Sequence, residues 1–268
     1  MRVWKIDKGD RMNRIKSKLE QIYDMDNLKK AASAACAARS MKNIGEVLEF
    51  RSKEEYYLVQ VQSMIRDGTF HASRYNIYTK NERGKDRLIA DLPLYPDRIV
   101  HFAIYQIIGP ELNKKLIDQT HSSIKGRGTH TALTFVRRSL YNDPRIRYCL
   151  SMDIDQYYPS LDPEAAKRMM RNEYVKDYRI CDLLDEILDG YTRMGRPGIA
   201  LGDLLSTLVS NLYLNKLDHY IKQVLHAHKY VRFADNFFIF GYSKPWLHRV
   251  CKAIMAYLAE LGLRVNDD

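Results

Sequence analysis

Two aspartates stand where burial alone would not place a carboxylate. Asp153 lies near the end of the run Tyr148-Cys-Leu-Ser-Met-Asp-Ile154, which predicts a buried strand. Asp235 falls between Tyr230-Val-Arg-Phe-Ala234 and Phe237-Phe-Ile-Phe-Gly241, two short aromatic strands predicted to form a hairpin with Asp235-Asn236 at its tip. If these strands are neighbours, both carboxylates reach the same edge of a sheet. Like charges that close repel, and holding them is costly unless a cation is shared between them. Oxygen-only ligands at an open site suit Mg²⁺, with Mn²⁺ as the alternative ion, because Mg²⁺ retains waters and takes substrate phosphates as its other ligands. Two such ions about 3.5–4 Å apart can activate a hydroxyl and stabilise a departing phosphate oxygen. The competing reading makes both residues ordinary turn carboxylates, Asp235 above all, since Asp-Asn favours hairpin tips. The order of elements around them weighs against that reading.

Those elements begin with helix over residues 11–39, where Asn27 to Arg39 is dominated by Ala and Lys, and continue with helix from Lys53 to Arg66, ending at Asp67-Gly68. Arg74–Lys80 and Lys85–Ala90 are rich in β-formers and flank Asn81-Glu-Arg-Gly84, a hairpin with a basic tip. Residues 97–116 return to helix, with Ile99, Phe102, Ala103, Gln106 and Ile107 at helical spacing. Asp162-Pro163 starts another helix, and Asp203 to about Val224 forms one more. Trp246, Val250, Ile254, Tyr257 and Leu261 mark an amphipathic helix that Gly262 can cap, and Leu263-Arg-Val-Asn266 begins a final strand. The expected fold class is α+β. Its second half has the element order of a ferredoxin-like antiparallel sheet backed by helices.

Charge separates the two halves. Residues 1–150 hold 28 lysines and arginines against 17 acidic residues, and the remainder holds 15 against 16. The overall excess of +10 therefore sits on one half, and a polyanionic partner follows, because Lys and Arg release condensed counterions when they meet phosphates. A merely basic protein is the plainer alternative. No apolar run approaches the roughly 18–20 residues of a membrane span. The charged N-terminus has no apolar signal segment behind it. Cys36, Cys149, Cys181 and Cys251 are far apart and read as buried thiols of a cytoplasmic protein rather than zinc ligands or disulfides.

Ser151-Met-Asp-Ile-Asp-Gln-Tyr-Tyr-Pro-Ser160 resembles the first catalytic motif of reverse transcriptases, and Phe233-Ala-Asp-Asn236 resembles their YxDD box. Gly198-Ile-Ala-Leu-Gly-Asp-Leu-Leu-Ser206, continuing through Ser210-Asn-Leu-Tyr-Leu-Asn-Lys-Leu-Asp218, is similar to their template-and-nucleotide motif. Arg74 to Arg87 and Ser123-Ile-Lys-Gly-Arg-Gly128 are similar to the fingers motifs. The resemblance covers about residues 20–268, in the family's order, and its texture is nearest to diversity-generating retroelement enzymes, then to group II intron enzymes. It implies a right-hand polymerase with N-terminal helices and basic fingers over residues 1–150 and a palm over 151–268. It further implies an RNA template and primer, deoxynucleoside triphosphates, two Mg²⁺ ions and a basic accessory protein as partners.

Residue by residue, the resemblance makes Asp153 and Asp235 shared metal ligands, with the Ile154 carbonyl assisting and Asn236 beside them. Tyr158 would stand against the nucleotide 2′ position, and Lys85 and Arg87 would grip the triphosphate. Leu201, Gly202 and Ser206 would line the nucleotide site, and Lys125, Gly126, Arg127 and Gly128 the template path. Leu201 stands where most of the family carries Gln, an exchange typical of the error-prone retroelement enzymes, and Thr207 departs from the Pro or Gln usual there. Two further departures matter. Asn236 replaces a second Asp, which leaves open an active variant, a lineage without activity or an engineered change. The chain stops at Asp268, where the family continues into another palm motif and a thumb, so the thumb is expected to be absent. The expected function is RNA-directed DNA synthesis by a retroelement enzyme, of low fidelity. The alternatives are a catalytically impaired RNA-binding scaffold and a phage-defence polymerase.

Overall fold

The computed structural model describes residues 14–82 and 84–266, without the side chains of residues 82 and 85. Four helices open the described chain: α1 (Leu19–Ile22), α2 (Met25–Ala37), α3 (Ile44–Ser52) and α4 (Glu54–Arg66). The single helix expected over 11–39 is therefore broken, and its first residues, 11–13, lie outside the described part. Ile15 instead forms a β-bridge with Val175. α2 starts afresh because the Asp24 carboxylate accepts hydrogen bonds from the Asp26 and Asn27 amides at 3.0 and 3.3 Å. α4 ends as expected, with Asp67 as its last cap and Gly68 beyond it in the left-handed region.

β1 (Asn76–Glu82) and β2 (Lys85–Asp91) form the predicted hairpin, with Glu82 paired to Lys85 and Lys80 to Arg87. Its base is tied down by ion pairs, since Asp91 accepts from Arg39 at 2.9 Å and from Arg98 at 3.0 Å. α5 (Ile99–Asn113) follows and buries Ile99, Val100, Ala103, Ile104, Ile108 and Leu112 in the main core. Six α-helical or strand elements then lead to the second half: β3 (Thr120–His121), α6 (Thr129–Asn142), β4 (Tyr148–Asp153), α7 (Tyr157–Ser160), α8 (Pro163–Met169) and α9 (Tyr178–Thr192). The remainder is α10 (Leu204–Tyr213), α11 (Asn215–His219), β5 (Tyr230–Phe233), β6 (Asn236–Gly241) and α12 (Lys244–Glu260).

The four-stranded sheet has the order β3-β5-β6-β4. β6 pairs antiparallel with both β4 and β5, as expected, but β3 runs parallel to β5. That strand is two residues long and comes from the basic half, too short to leave a β-pattern in the sequence. The buried strand expected at 148–154 is an edge strand, in which Met152 is buried and Tyr148, Cys149 and Ser151 are exposed. An apolar run does not reveal that one long side of a strand has no neighbour. The cysteines are not uniformly buried either: Cys181 is, Cys36 and Cys251 are half-buried, and Cys149, on this edge strand, is exposed.

β6 alternates strictly. Phe237, Ile239 and Gly241 face the core, and Asn236, Phe238 and Phe240 face outward. α12 closes the inner face so tightly that a Cβ on Gly241 would lie 2.8 Å from the Trp246 ring. The helix expected over 203–224 kinks at Leu214 and widens over 220–224, a path that carries the Asp218 carboxylate into the core beneath β5. The final strand is reduced to one bridge, Ile154 with Val265.

Candidate active site

The register of β4 and β6 sets the site. Asp153 pairs with Asn236 across these strands, and Asn236 pairs on its other side with Phe233 of β5. The hairpin loop is therefore Ala234-Asp235, one residue earlier than the Asp-Asn tip expected, because Asn236 is taken up as the first residue of β6. Asp153 and Asp235 both stand half-buried at the same rim of the sheet. Burial, and then the charge of Asp153, push the Asp235 carboxyl above the usual carboxylate range, while a hydrogen bond from Asn236 Nδ2 at 3.2 Å and the charge of Arg87 act the other way. A carboxylate destabilised chiefly by burial, and further by a like charge beside it, is what a shared cation would relieve.

The backbone adds to this rim. Asn266 N donates to the Asp153 carbonyl at 2.8 Å, and Asp155 N donates to the Arg264 carbonyl at 2.9 Å. In an antiparallel pair, a residue flanked by such bonds turns its own N–H and C=O to the opposite side. For Ile154 that side is β6 and the Asp235 loop. Among the described residues no group of three or more His, Cys, Asp or Glu converges on a metal position. Two carboxylates with a backbone carbonyl are nonetheless a fitting set for Mg²⁺, which binds through one or two carboxylates and completes its shell with water and phosphate.

Behind the rim, α7 presents Tyr158, half-buried, with its hydroxyl 3.5 Å from Thr207 Oγ1 and accepting from Ser210 Oγ at 3.3 Å. Ile199 N donates to the Tyr158 carbonyl at 3.0 Å, and a Cβ on Gly198 would lie 2.1 Å from that oxygen, so only glycine fits there. The first hairpin docks on the same segment, since Ala90 N donates to the Leu201 carbonyl at 2.9 Å. Gly202 lies at φ +106°, where a Cβ would press on Ile89 and on the Ala90 carbonyl. These contacts bring Arg87, exposed on β2, near enough for its charge to oppose in part the upward shift of the Asp235 carboxyl.

Other expected site residues fall differently. The Lys85 side chain lies outside the described part. Ser206 is buried and donates to Asp203 Oδ2 at 2.8 Å, so its hydroxyl is committed within the fold. Lys125, Gly126 and Gly128 are exposed on the loop before α6. Arg127 is half-buried and holds that loop, donating to the Ile117 carbonyl at 2.8 Å and to Asp118 at 3.1 Å.

Two buried polar clusters escaped the sequence reading. Arg232 and Asp218 form an ion pair at 2.7 Å with no exposure of either side chain. A charged residue at an inward position of a strand was the available signal. Asp203 accepts from the His101 ring at 2.5 Å and caps α10 through the Leu205 amide at 3.1 Å. Burial opposes the charged form of Asp203, but His101, Ser206 and the Leu205 amide together hold its carboxyl below the usual range. A depressed carboxyl stabilises the fold above its unfolded pKa of about 3.9 and loses that contribution as pH falls through its folded value. Asp203→Asn is accordingly expected to cost about 3 kcal/mol at pH 7, with a smaller difference from the unchanged chain near pH 3. Denaturant unfolding at the two pH values measures both.

Comparison with known proteins decides the family. The profile of "Reverse transcriptase (RNA-dependent DNA polymerase)" matches residues 78–268, which includes Arg87, Asp153, Tyr158 and Asp235. The chain belongs to the reverse transcriptase family. Group II intron-encoded protein LtrA of Lactococcus lactis is 23% identical to this reverse transcriptase-family chain over 177 residues, 63% of the chain and 29% of LtrA. Protein YkfC of Escherichia coli is 24% identical over 155 residues, 55% of the chain and 40% of YkfC. The chain thus spans well under half the length of these curated relatives. Among solved structures, apo telomerase from Candida tropicalis, truncated from its C-terminal domain, superposes with a TM-score of 0.51 at 15% identity, covering 80% of this chain and 54% of the other. Telomerase from Candida albicans, solved with a fragment of telomeric RNA, gives 0.53 at 14% identity, covering 76% and 43%. At these identities the likeness is one of fold, and it agrees with the α+β class. No helix among the described residues is long and apolar enough to cross a membrane.

Proposed function

We propose that the chain carries the nucleotidyl-transfer site of an RNA-directed DNA polymerase, extending a primer on an RNA template. The observation that carries this reading is the meeting of Asp153 and Asp235 at one rim, through the pairing of β4 with β6. In this reading residues 1–150 act as N-terminal helices and fingers and residues 151–268 as palm, with β3 crossing from the first part into the palm sheet.

Asp153, Asp235 and the Ile154 carbonyl would hold Mg²⁺. Bound there, two ions supply Lewis-acid activation of the primer hydroxyl and charge neutralisation at the leaving phosphate. The protein's own contribution is positional. β4 and β6 hold the two carboxylates in register, so little reorganisation is needed as charge develops. Arg87 faces the rim and binds triphosphate oxygens through its guanidinium fork. Tyr158, fixed between Thr207 and Ser210, presents its ring against the sugar and excludes a 2′-hydroxyl. Leu201 and Gly202 line the nucleotide on the side where β2 docks. The loop carrying Lys125, Gly126 and Gly128, braced by Arg127, guides template phosphates. A role in a retroelement, of the diversity-generating or group II intron type, with low fidelity linked to Leu201 and a basic accessory partner, extends the same reading. The LtrA match supports its group II intron branch.

One observation favours a second reading, a catalytically impaired RNA-binding scaffold. Asn236 occupies the position facing Asp153 and supplies an amide where a third carboxylate would stand. Primer extension on an RNA template separates the two. Templated incorporation of deoxynucleotides, with ribonucleotides used about a hundredfold less efficiently, is expected under the first, since rejection of one added hydroxyl by pocket shape is on the order of a hundredfold, or about 3 kcal/mol. Salt-sensitive RNA binding without incorporation supports the scaffold.

A further inference from the structure

The loop that presents Asp235 is held in an uncommon backbone shape. Ala234 has φ +56°, the left-handed region that a residue with a Cβ rarely occupies and that glycine takes freely. Such a conformation persists where the surroundings over-determine it. Here both backbone groups of Ala234 are engaged. Its amide donates to the His121 carbonyl at 3.2 Å, and its carbonyl accepts from Arg232 Nη1 at 2.9 Å.

Arg232 is itself immobilised. Its Nε donates to both Asp218 oxygens, at 2.8 and 3.1 Å, and Nη2 donates to Asp218 Oδ2 at 2.7 Å. Nη2 also reaches the Asn211 carbonyl at 3.0 Å, and Nη1 the Asn211 side-chain oxygen at 3.2 Å. Asp218 is braced in turn by Tyr230 at 2.6 Å and Thr120 at 3.1 Å. The fork therefore joins α10, α11, β3 and β5 to the one carbonyl that precedes Asp235. Stability alone gives little reason for such a pair, because well-packed apolar side chains commonly serve as well in a core. A planar guanidinium can bind a carboxylate along one edge and a carbonyl from another, which an ammonium point charge cannot do together.

We propose that Arg232 is a positioning residue that locks the Ala234-Asp235 loop in its metal-binding shape, acting through the Ala234 carbonyl. The proposal rests on the reading of Asp153 and Asp235 as metal ligands. Its test is Mn²⁺ binding, followed by the electron paramagnetic resonance signal of the free ion, which needs no turnover. Four proteins are compared: the unchanged chain, Arg232→Lys, Arg232→Lys with Ala234→Gly, and Leu258→Ala. The last removes a buried side chain of α12 and serves as a control for destabilisation.

Arg232→Lys is expected to weaken Mn²⁺ binding about tenfold, the usual scale for losing a group that orients a ligand. Leu258→Ala should lower the melting temperature but leave Mn²⁺ binding unchanged. Adding Ala234→Gly should recover a substantial part of the lost affinity, because glycine adopts the loop conformation without being held there. Unchanged binding by Arg232→Lys, an equal loss in Leu258→Ala, or no recovery with Ala234→Gly overturns the proposal while leaving the metal site standing. No Mn²⁺ binding by the unchanged chain overturns both readings together. If Arg232→Lys does not fold, Asn211→Ala takes its place, removing the Nη1 bond to the Asn211 side-chain oxygen while keeping the Asn211 carbonyl and the Asp218 pair, with a smaller expected weakening and the same overturning results.

Discussion

Asp153→Ala is expected to reduce nucleotide incorporation by about 10³-fold or more while the protein stays folded. A divalent ion at a phosphoryl centre is worth several kcal/mol of transition-state stabilisation, and about 4 kcal/mol corresponds to a thousandfold. Asp153 ends an edge strand and is only half-buried, so removing its carboxylate opens no cavity in the core. It also lifts a like charge from Asp235, whose carboxyl should then return toward its ordinary value. Unfolding midpoints in chelator should therefore be unchanged or slightly raised as extension disappears. Extension that survives the substitution would remove Asp153 from the chemistry and, with it, the basis of the proposed mechanism.

Asn236→Asp should produce the second large effect, in opposite directions with and without metal. The Asn236 amide now donates to Asp235 at 3.2 Å, and its residue faces Asp153 across the ladder. A carboxylate there loses that hydrogen bond and places a third negative charge at the rim. At an effective dielectric of about 20 and separations of about 6 Å, each of the two new pairs repels by about 3 kcal/mol before solvent screening. The melting temperature in chelator should fall by several degrees and be recovered by millimolar Mg²⁺. If the site is a polymerase site, incorporation should rise at least about tenfold, because added negative charge strengthens the hold on two divalent ions. Thermal melts with and without Mg²⁺, paired with primer extension, read both effects. A variant that gains metal-dependent stability without incorporation would support the scaffold reading instead.

The legible part of this fold is the part written in local signals. The hairpin of β1 and β2 was visible in β-formers flanking Asn81-Glu-Arg-Gly84, and α4, α5, α8 and α12 in periodicity and caps. The β5–β6 hairpin was visible in its aromatic runs, although its loop was displaced by one residue. That displacement could not be read locally. Asp-Asn is a good loop dipeptide in isolation, but Asn236 is claimed by partners on two strands, and Ala234 takes the strained position in its place. Edge position was equally hidden, because the apolar run before Asp153 is the same whether one neighbour flanks it or two. β3 was hidden because two residues carry no period.

Legible in one dimension are the reactive side chains and their order: two aspartates at strand ends, a tyrosine five residues after the first, and a basic hairpin upstream. Those depend on side-chain identity and nearest-neighbour spacing, which the chain carries in one dimension. Tertiary structure alone decided that β4 and β6 pair in the register that sets Asp153 beside Asp235, that Ser206 turns inward to Asp203, and that Arg232 grips the loop from below. The reason is that pairing register and buried ion pairs join residues such as Asp218 and Thr120, far apart in the chain. Their energies arise only once water has been excluded between elements that no local pattern connects.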